Sequence, residues 1–315
     1  MCHVGDREDV LVTAADFALP RTDADVPAWL AARGLRGLVD IHVHFMPERV
    51  MRKVWDFFDR AAHHYGTAWP VTYRSDEQAR LEHLQQLGVR AFAPLVYAHK
   101  PGMARWLTEW AMDFGARTAG AVPTLTFYPE PDAESYVADA LAAGARCAKV
   151  HVQVGNYDPR DPALDRVWGL LSDAGVPAVV HCGDGPIPGP YTGLDRFGEV
   201  LARHPRLVAV IAHAGMPDFA GALALADRYD NVHLDTTMVG TAFSQAMAPL
   251  PADWTARLAD IADRVVLGSD FPNIPYEYAE QLAAIDGWAR ADDRLGDAFL
   301  RAVVHDTGAR LLGLS

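Results

Sequence analysis

The sequence predicts an α/β chain folded as a TIM-like (β/α)8 barrel, on three observations. Short apolar runs recur along it, near 38–43, 89–96, 120–127, 146–152, 176–181, 207–212, 231–235 and 264–269. Amphipathic stretches at helical period separate them, and that alternation implies parallel strands buried on both faces. The chain has 315 residues, long for one sandwich and a comfortable length for eight such units closed into a barrel. Residues 1–36 read as an N-terminal extension and 37–315 as a single barrel domain, with no low-complexity linker or short repeat between them.

Taken in order, the extension carries Val10-Leu11-Val12 and Phe17-Ala18-Leu19, expected to add short strands or to cover the barrel floor. Its acidic side chains, with no basic segment leading into an apolar one, argue against a secretory signal. After the first strand, segment 44–74 is the longest connection and holds Trp55, Phe57, Phe58, Trp69 and Tyr73. On a barrel such a connection lies over the active face, so it is expected to form part of a lid or pocket wall. Ser75 and Gln78 predict a capping box, Gly88 a stop, and Leu81, Leu84 and Leu87 a shared face. Trp106, Trp110 and Phe114 make an aromatic stripe at helical spacing, read as core packing. Asp161-Pro162 predicts an N-cap with proline at the first helical position, and Gly175 the end of that helix.

Half of the residues are apolar and the formal net charge is −13. That balance argues against a nucleic-acid or anionic-membrane partner, which would require a basic face. No apolar run approaches the roughly 18–20 residues of a membrane span. Three cysteines, Cys2, Cys147 and Cys182, show neither paired metal spacing nor a disulfide framework, which fits a reducing cytoplasm. The expected partner is a small-molecule substrate. Trp254 and Trp288 read as exposed aromatics, and homodimerisation stays open.

The chemistry gathers at the C-terminal ends of the strands. His42 and His44 close the first apolar run one residue apart, and alternation in a strand turns both imidazoles the same way. An H-x-H triplet alone is a common coincidence; a pair at a barrel strand end is a natural clamp for a divalent cation. His181 closes 176–180, His213 closes 207–212 and Asp270 follows 265–269. One polar strand end is usually a satisfied core residue. Several in separate units are hard to explain by packing, because each buried polar group needs a partner and a shared metal supplies one. Cys182 follows His181 and so should pack outward rather than ligate. Asp235 and Thr236 end the seventh strand and carry little weight.

Asp40-Ile41-His42-Val43-His44, Val180-His181, Ile211-Ala212-His213-Ala214-Gly215 and Leu267-Gly268-Ser269-Asp270-Phe271-Pro272 resemble the amidohydrolase superfamily. More narrowly, they resemble its amidohydrolase-related branch, which includes aminocarboxymuconate-semialdehyde decarboxylase, resorcylate-type decarboxylases and lactone hydrolases. The resemblance spans about 37–313 and implies a distorted (β/α)8 barrel. It implies His42, His44, His181 and Asp270 as ligands of one divalent metal, zinc first, with manganese or iron as alternatives. It implies His213 as a catalytic base or substrate-polarising group, and Asp270 as a second proton-handling group. Zinc brings a bound water near neutrality, and an adjacent carboxylate can pass its proton to a leaving group.

Lys149 lies on the fourth strand. Some superfamily members carboxylate such a lysine to bridge two metals; the reading preferred here is a lysine that pairs with Asp270 or binds a substrate carboxylate. His151 shares its face and is a candidate substrate-binding residue. The leading function is metal-dependent hydrolysis of an amide, ester or lactone. The alternative is non-oxidative decarboxylation of a small unsaturated or aromatic acid, with Lys149, Arg74, Arg146 or Arg196 holding the carboxylate. A non-catalytic binding barrel would lack metal ligands, and all are present. Pocket shape is expected to come from 44–74, 97–104, 153–161, 183–193 and 236–252.

Overall fold

In the computed structural model, residues 18–314 are described. The eight strands are β1 (Leu38–Val43), β2 (Val89–Pro94), β3 (Thr124–Thr126), β4 (Cys147–His151), β5 (Ala178–His181), β6 (Ala209–Ile211), β7 (Val232–Asp235) and β8 (Val265–Val266). All neighbours are parallel, in one ladder β1-β2 and a second running β3 to β8 in sequence order. Backbone hydrogen bonds carry the ring across both gaps. The Val122 N–H donates to Phe92 O at 3.0 Å beside a parallel Phe92–Ala121 bridge, and the Ile41 N–H donates to Leu267 O at 3.0 Å. The result is a distorted (β/α)8 barrel. Its ladders are shorter than the apolar runs; Pro123 and Pro177 stand just before β3 and β5 and have no N–H to give a ladder.

Side chains alternate between two cores. Val39, Ile41, Ala93, Val179, Val210 and Val266 pack inside the barrel, together with Leu311 and Leu312. The helix Thr307–Leu311 comes close enough to β1 that a Cβ on Gly308 would lie 2.9 Å from Val39 Cγ1. The larger cluster lies between strands and helices and includes Leu164, Val167, Trp168 and Leu171 of Pro162–Ala174. Cys182 belongs to this outer layer.

Helix boundaries follow their capping chemistry. Asp161 caps Pro162–Ala174 by accepting the Ala163 N–H, and Gly175 ends it at φ +64°. The cap of Glu77–Gln86 is Asp76, which accepts the Ala79 N–H at 2.8 Å, not Ser75. A carboxylate at the N-cap also complements the helix dipole, so the one-residue shift has a physical preference behind it. Trp254 and Trp288 are buried, with ring centroids 5.7 Å apart, rather than exposed. Trp106 and Trp110 pack on the core beside buried Phe114.

The run at 10–12 and Phe17 lie outside the described residues. From Asp23 onward the extension docks on the barrel. Helix Val26–Ala32 buries Trp29, whose indole N–H donates to Asp286 at 2.8 Å, and Asp23 accepts the Ala279 N–H at 2.9 Å. No helix among the described residues is long and apolar enough to cross a membrane.

Candidate metal centre and active site

Strand β1 does not alternate simply. Asp40 lies opposite Phe92 and Val43 opposite Pro94, so β1 carries one extra residue, a bulge. Asp40 turns outward, where its carboxylate accepts Tyr278 OH at 2.7 Å and Ser269 Oγ at 2.5 Å. Ile41 packs inside the barrel, and after the bulge His42 and His44 both face the interior. Asp270, just past β8, is held by its N–H to His42 O at 2.8 Å. It has φ +67°, and His213 and Ala214 also stand at φ +54° and +46°. Such left-handed backbone is costly without glycine and tends to cluster at functional sites.

The structure brings His42, His44 and Asp270 together, with one potential ligand atom from each inside a 4.8 Å group. The hydrogen bond that each histidine makes on its far side sets its tautomer. His44 Nδ1 donates to Leu95 O at 2.9 Å, which leaves Nε2 as a bare lone pair 2.8 Å from Asp270 Oδ1. His42 Nδ1 faces the Asp235 carboxylate at 2.8 Å, which leaves its Nε2 facing Asp270 Oδ1 at 3.6 Å. Lone pairs aimed at one another repel unless a cation lies among them. The donor set therefore fits a divalent ion, and nitrogen and oxygen ligands suit zinc, manganese or iron.

His181 lines the same pocket but is not in that group; its Nε2 is 3.0 Å from Gly185 O. Its ring stacks on His151 at 4.0 Å, because β4 and β5 pair in parallel with the two histidines opposite each other. His213 lies 4.8 Å from His181, ring to ring, and its Nδ1 is 3.2 Å from Thr237 O. Lys149 is fully buried, with Nζ 2.6 Å from His42 Nε2.

Burial sets the charge states. It pushes His181 down to about 3 and, against the pull of Asp270, His213 to about 4, with Lys149 adding to both, so both rings are neutral at pH 7. Burial and Lys149 likewise depress His42 well below the usual histidine range. Lys149 falls to about 8 by burial, against the pull of Asp270 and Asp235. Burial would raise Asp270, but the imidazoles of His44, His42 and His213 around it outweigh that and hold its carboxyl below the usual range.

Asp235 matters more than its place in the sequence suggested. Besides His42 Nδ1, its carboxylate accepts the N–H of His213 at 2.7 Å and of Thr237 at 3.1 Å. Gly268 makes room for this arrangement: a Cβ there would lie 2.9 Å from His42 Cβ and 3.2 Å from Asp235 Cγ.

All five expected connections reach the pocket, through Phe58, Tyr65 and Trp69; Tyr97; Gln153; Gly183, Gly185 and Pro186; and Met238 and Met247. Met216 and Asn273 come from connections that the sequence did not single out. The arginines considered for a substrate carboxylate do not line it. Arg74 pairs with Asp59 at 2.7 Å, Arg146 binds the carbonyls of Leu312 and Gly313, and Arg196 pairs with Asp158 at 3.2 Å. Lys149 is the only lysine or arginine among the described lining residues.

Several solved structures share the fold. An uncharacterised TIM-barrel protein of Bordetella bronchiseptica superimposes with a TM-score of 0.66 at 19% identity, covering 88% of this chain and 99% of that one. The 5-carboxyvanillate decarboxylase of Sphingomonas paucimobilis gives 0.56 at 15% identity, covering 89% and 100%. The dihydroorotase of Campylobacter jejuni gives 0.55 at 15% identity, covering 89% and 84%. No curated protein matches. The amidohydrolase family model matches residues 39–314, from the first strand through the helix that closes the barrel floor. The chain belongs to the amidohydrolase family.

Proposed function

We propose that the protein is a metal-dependent hydrolase of a small, uncharged amide, ester or lactone. The observation that carries this reading is the pocket lining. Its floor converges lone pairs from His42, His44 and Asp270, and its walls are aromatic and methionine side chains without a guanidinium to hold a carboxylate. A divalent ion, zinc by the donor chemistry, supplies Lewis-acid polarisation of a carbonyl and activation of water at neutral pH. His42, His44 and Asp270 would hold it, and His181 would complete the expected ligand set once freed from its Gly185 hydrogen bond. His213, with Nδ1 committed to Thr237 O, offers Nε2 to accept a proton from the attacking water. Asp270 would take the second proton of that water and pass it to the leaving group. Phe58 and Trp69 shield the floor from bulk water.

Decarboxylation is the second reading. Lys149 favours it, as a buried cation on the pocket floor able to meet a substrate carboxylate. A panel of lactones, esters, amides and aromatic carboxylates, run in 18O-labelled water with zinc-reconstituted protein, separates the two. Hydrolysis puts the label in the acid product. Carbon dioxide release without labelled product transfers the assignment to the second reading. H44A and D270A are expected to lose both bound zinc and turnover.

A further inference from the structure

Asn273 lies on the connection that follows β8, and its backbone N–H donates to Asp270 O at 2.8 Å. Only 2% of the residue is exposed, yet it lines the catalytic pocket. Two tryptophans of the 44–74 segment are tied to it. The Trp69 indole N–H donates to its backbone carbonyl at 2.7 Å, and the Trp55 indole N–H donates to its side-chain Oδ1 at 3.1 Å. An indole N–H is a donor only, so the amide atom facing Trp55 must be the oxygen. That contact fixes which way round the carboxamide sits. Trp55 is itself clamped, with the Arg74 and Arg80 guanidinium groups 5.6 and 5.3 Å from its ring.

The consequence concerns the other amide atom. With Oδ1 held by Trp55, the Nδ2 donors point away from it. Among the described residues no acceptor lies within hydrogen-bond distance of Nδ2, and Nδ2 is not among the side-chain atoms sealed from solvent. A nearly buried amide whose donors open only towards a solvent-filled pocket is placed to meet an acceptor from the ligand.

We infer that Asn273 Nδ2 is a substrate-binding donor for the oxygen that gains negative charge during hydrolysis, and that Trp55 is the positioning residue that fixes its direction. This rests on the hydrolytic reading above. A fixed neutral donor aimed where charge develops contributes to the transition state without reorganising, and losing one such donor costs about 10²–10³ in kcat. The same tie gives the 44–74 segment a catalytic consequence, since the segment sets the face that Asn273 shows to substrate.

The test uses zinc-reconstituted full-length protein as wild type, N273A, N273D and W55F. Zinc content and thermal midpoint are measured first; N273D, close in shape, covers the case in which N273A folds poorly. Calorimetric binding of benzylphosphonate, a tetrahedral oxyanion, is then compared with kcat and KM on whichever panel substrate the wild type hydrolyses. The inference expects wild-type zinc content throughout. N273A should weaken phosphonate binding about tenfold or more and lower kcat about 100-fold with little change in KM. N273D should be worse, since a carboxylate faces the oxyanion, and W55F intermediate. Wild-type kcat and phosphonate affinity in N273A overturn the inference, as does a wild type that hydrolyses the panel but binds no phosphonate. A loss confined to KM and thermal midpoint also overturns it and leaves Asn273 a lid anchor. A wild type that hydrolyses nothing, while its phosphonate binding still depends on Asn273, overturns the hydrolytic reading and keeps the donor.

Discussion

At the scale of single residues, the site is a set of tautomers held by second partners, and Asp235 is the most consequential of these. Its Oδ1 already accepts two backbone N–H groups, from His213 and Thr237, while Oδ2 accepts His42 Nδ1. In Asp235→Asn the oxygen stays with the two backbone donors, so the amide NH2 turns to His42. It forces the imidazole proton onto Nε2 and removes the lone pair that a cation needs. We expect zinc affinity to fall about 10–100-fold with the fold intact, measured by competition with a chromophoric chelator. Unchanged affinity would show that His42 is not a ligand. Gly268→Ala acts on the same cluster from the back, by pushing against His42 and Asp235. It should lower zinc affinity and stability together. His42, His44 and Asp270 were legible because each ends an apolar run. Asp235 also ends one, but its importance lies in three simultaneous acceptances, which no linear pattern records. Asn273 was invisible for a similar reason: an asparagine after a proline reads as an ordinary turn until two indoles are found bonded to it.

At the scale of elements, legibility followed burial. All eight strands could be read because a barrel strand is apolar on both faces, and that is a continuous signal. The bulge in β1 could not be read. Simple alternation would put Asp40 on the same face as His42, whereas the extra residue sends Asp40 out to Tyr278 and Ser269. The bulge thereby ties β1 to the Ser269-Asp270 turn, so the two halves of the candidate metal centre share one hydrogen-bonded support. Helix ends were legible where one capping residue stood alone, as at Asp161, and slipped where Ser75 and Asp76 competed. That comparison gives a stability prediction away from the site. Asp76→Ala removes the acceptor for the Ala79 N–H at the start of Glu77–Gln86. It should cost about 1 kcal/mol of stability and leave zinc content unchanged, read from urea unfolding midpoints. A cost near zero would mean that Ser75 takes over the cap.

At the scale of the whole molecule, the barrel separates its two ends chemically, and β7 shows how. Asp235 lies at the site end of β7, and His233 stands two residues earlier on the same strand. His233 is buried, with Nδ1 3.2 Å from Asn231 O and Nε2 3.5 Å from Arg310; Arg264 and Asp263 are its other charged neighbours. Burial, then Arg310, pushes it down to about 4 from the usual 6.5. Between those values the unfolded chain binds a proton at this position and the native chain does not. Its stabilising contribution is therefore complete above pH 6.5, is lost as pH falls towards 4, and changes no further below that. The loss is on the order of 3 kcal/mol over the window. His233→Gln removes this titration while keeping a polar side chain of similar reach. The site histidines add the same acid sensitivity to both proteins, so the difference between wild type and H233Q isolates the far end of the barrel. Urea unfolding at fixed pH values from 7 to 4 should show wild type losing stability more steeply than H233Q. Parallel slopes would mean that His233 takes up its proton in the folded state, with the Arg310 side chain swung away from it.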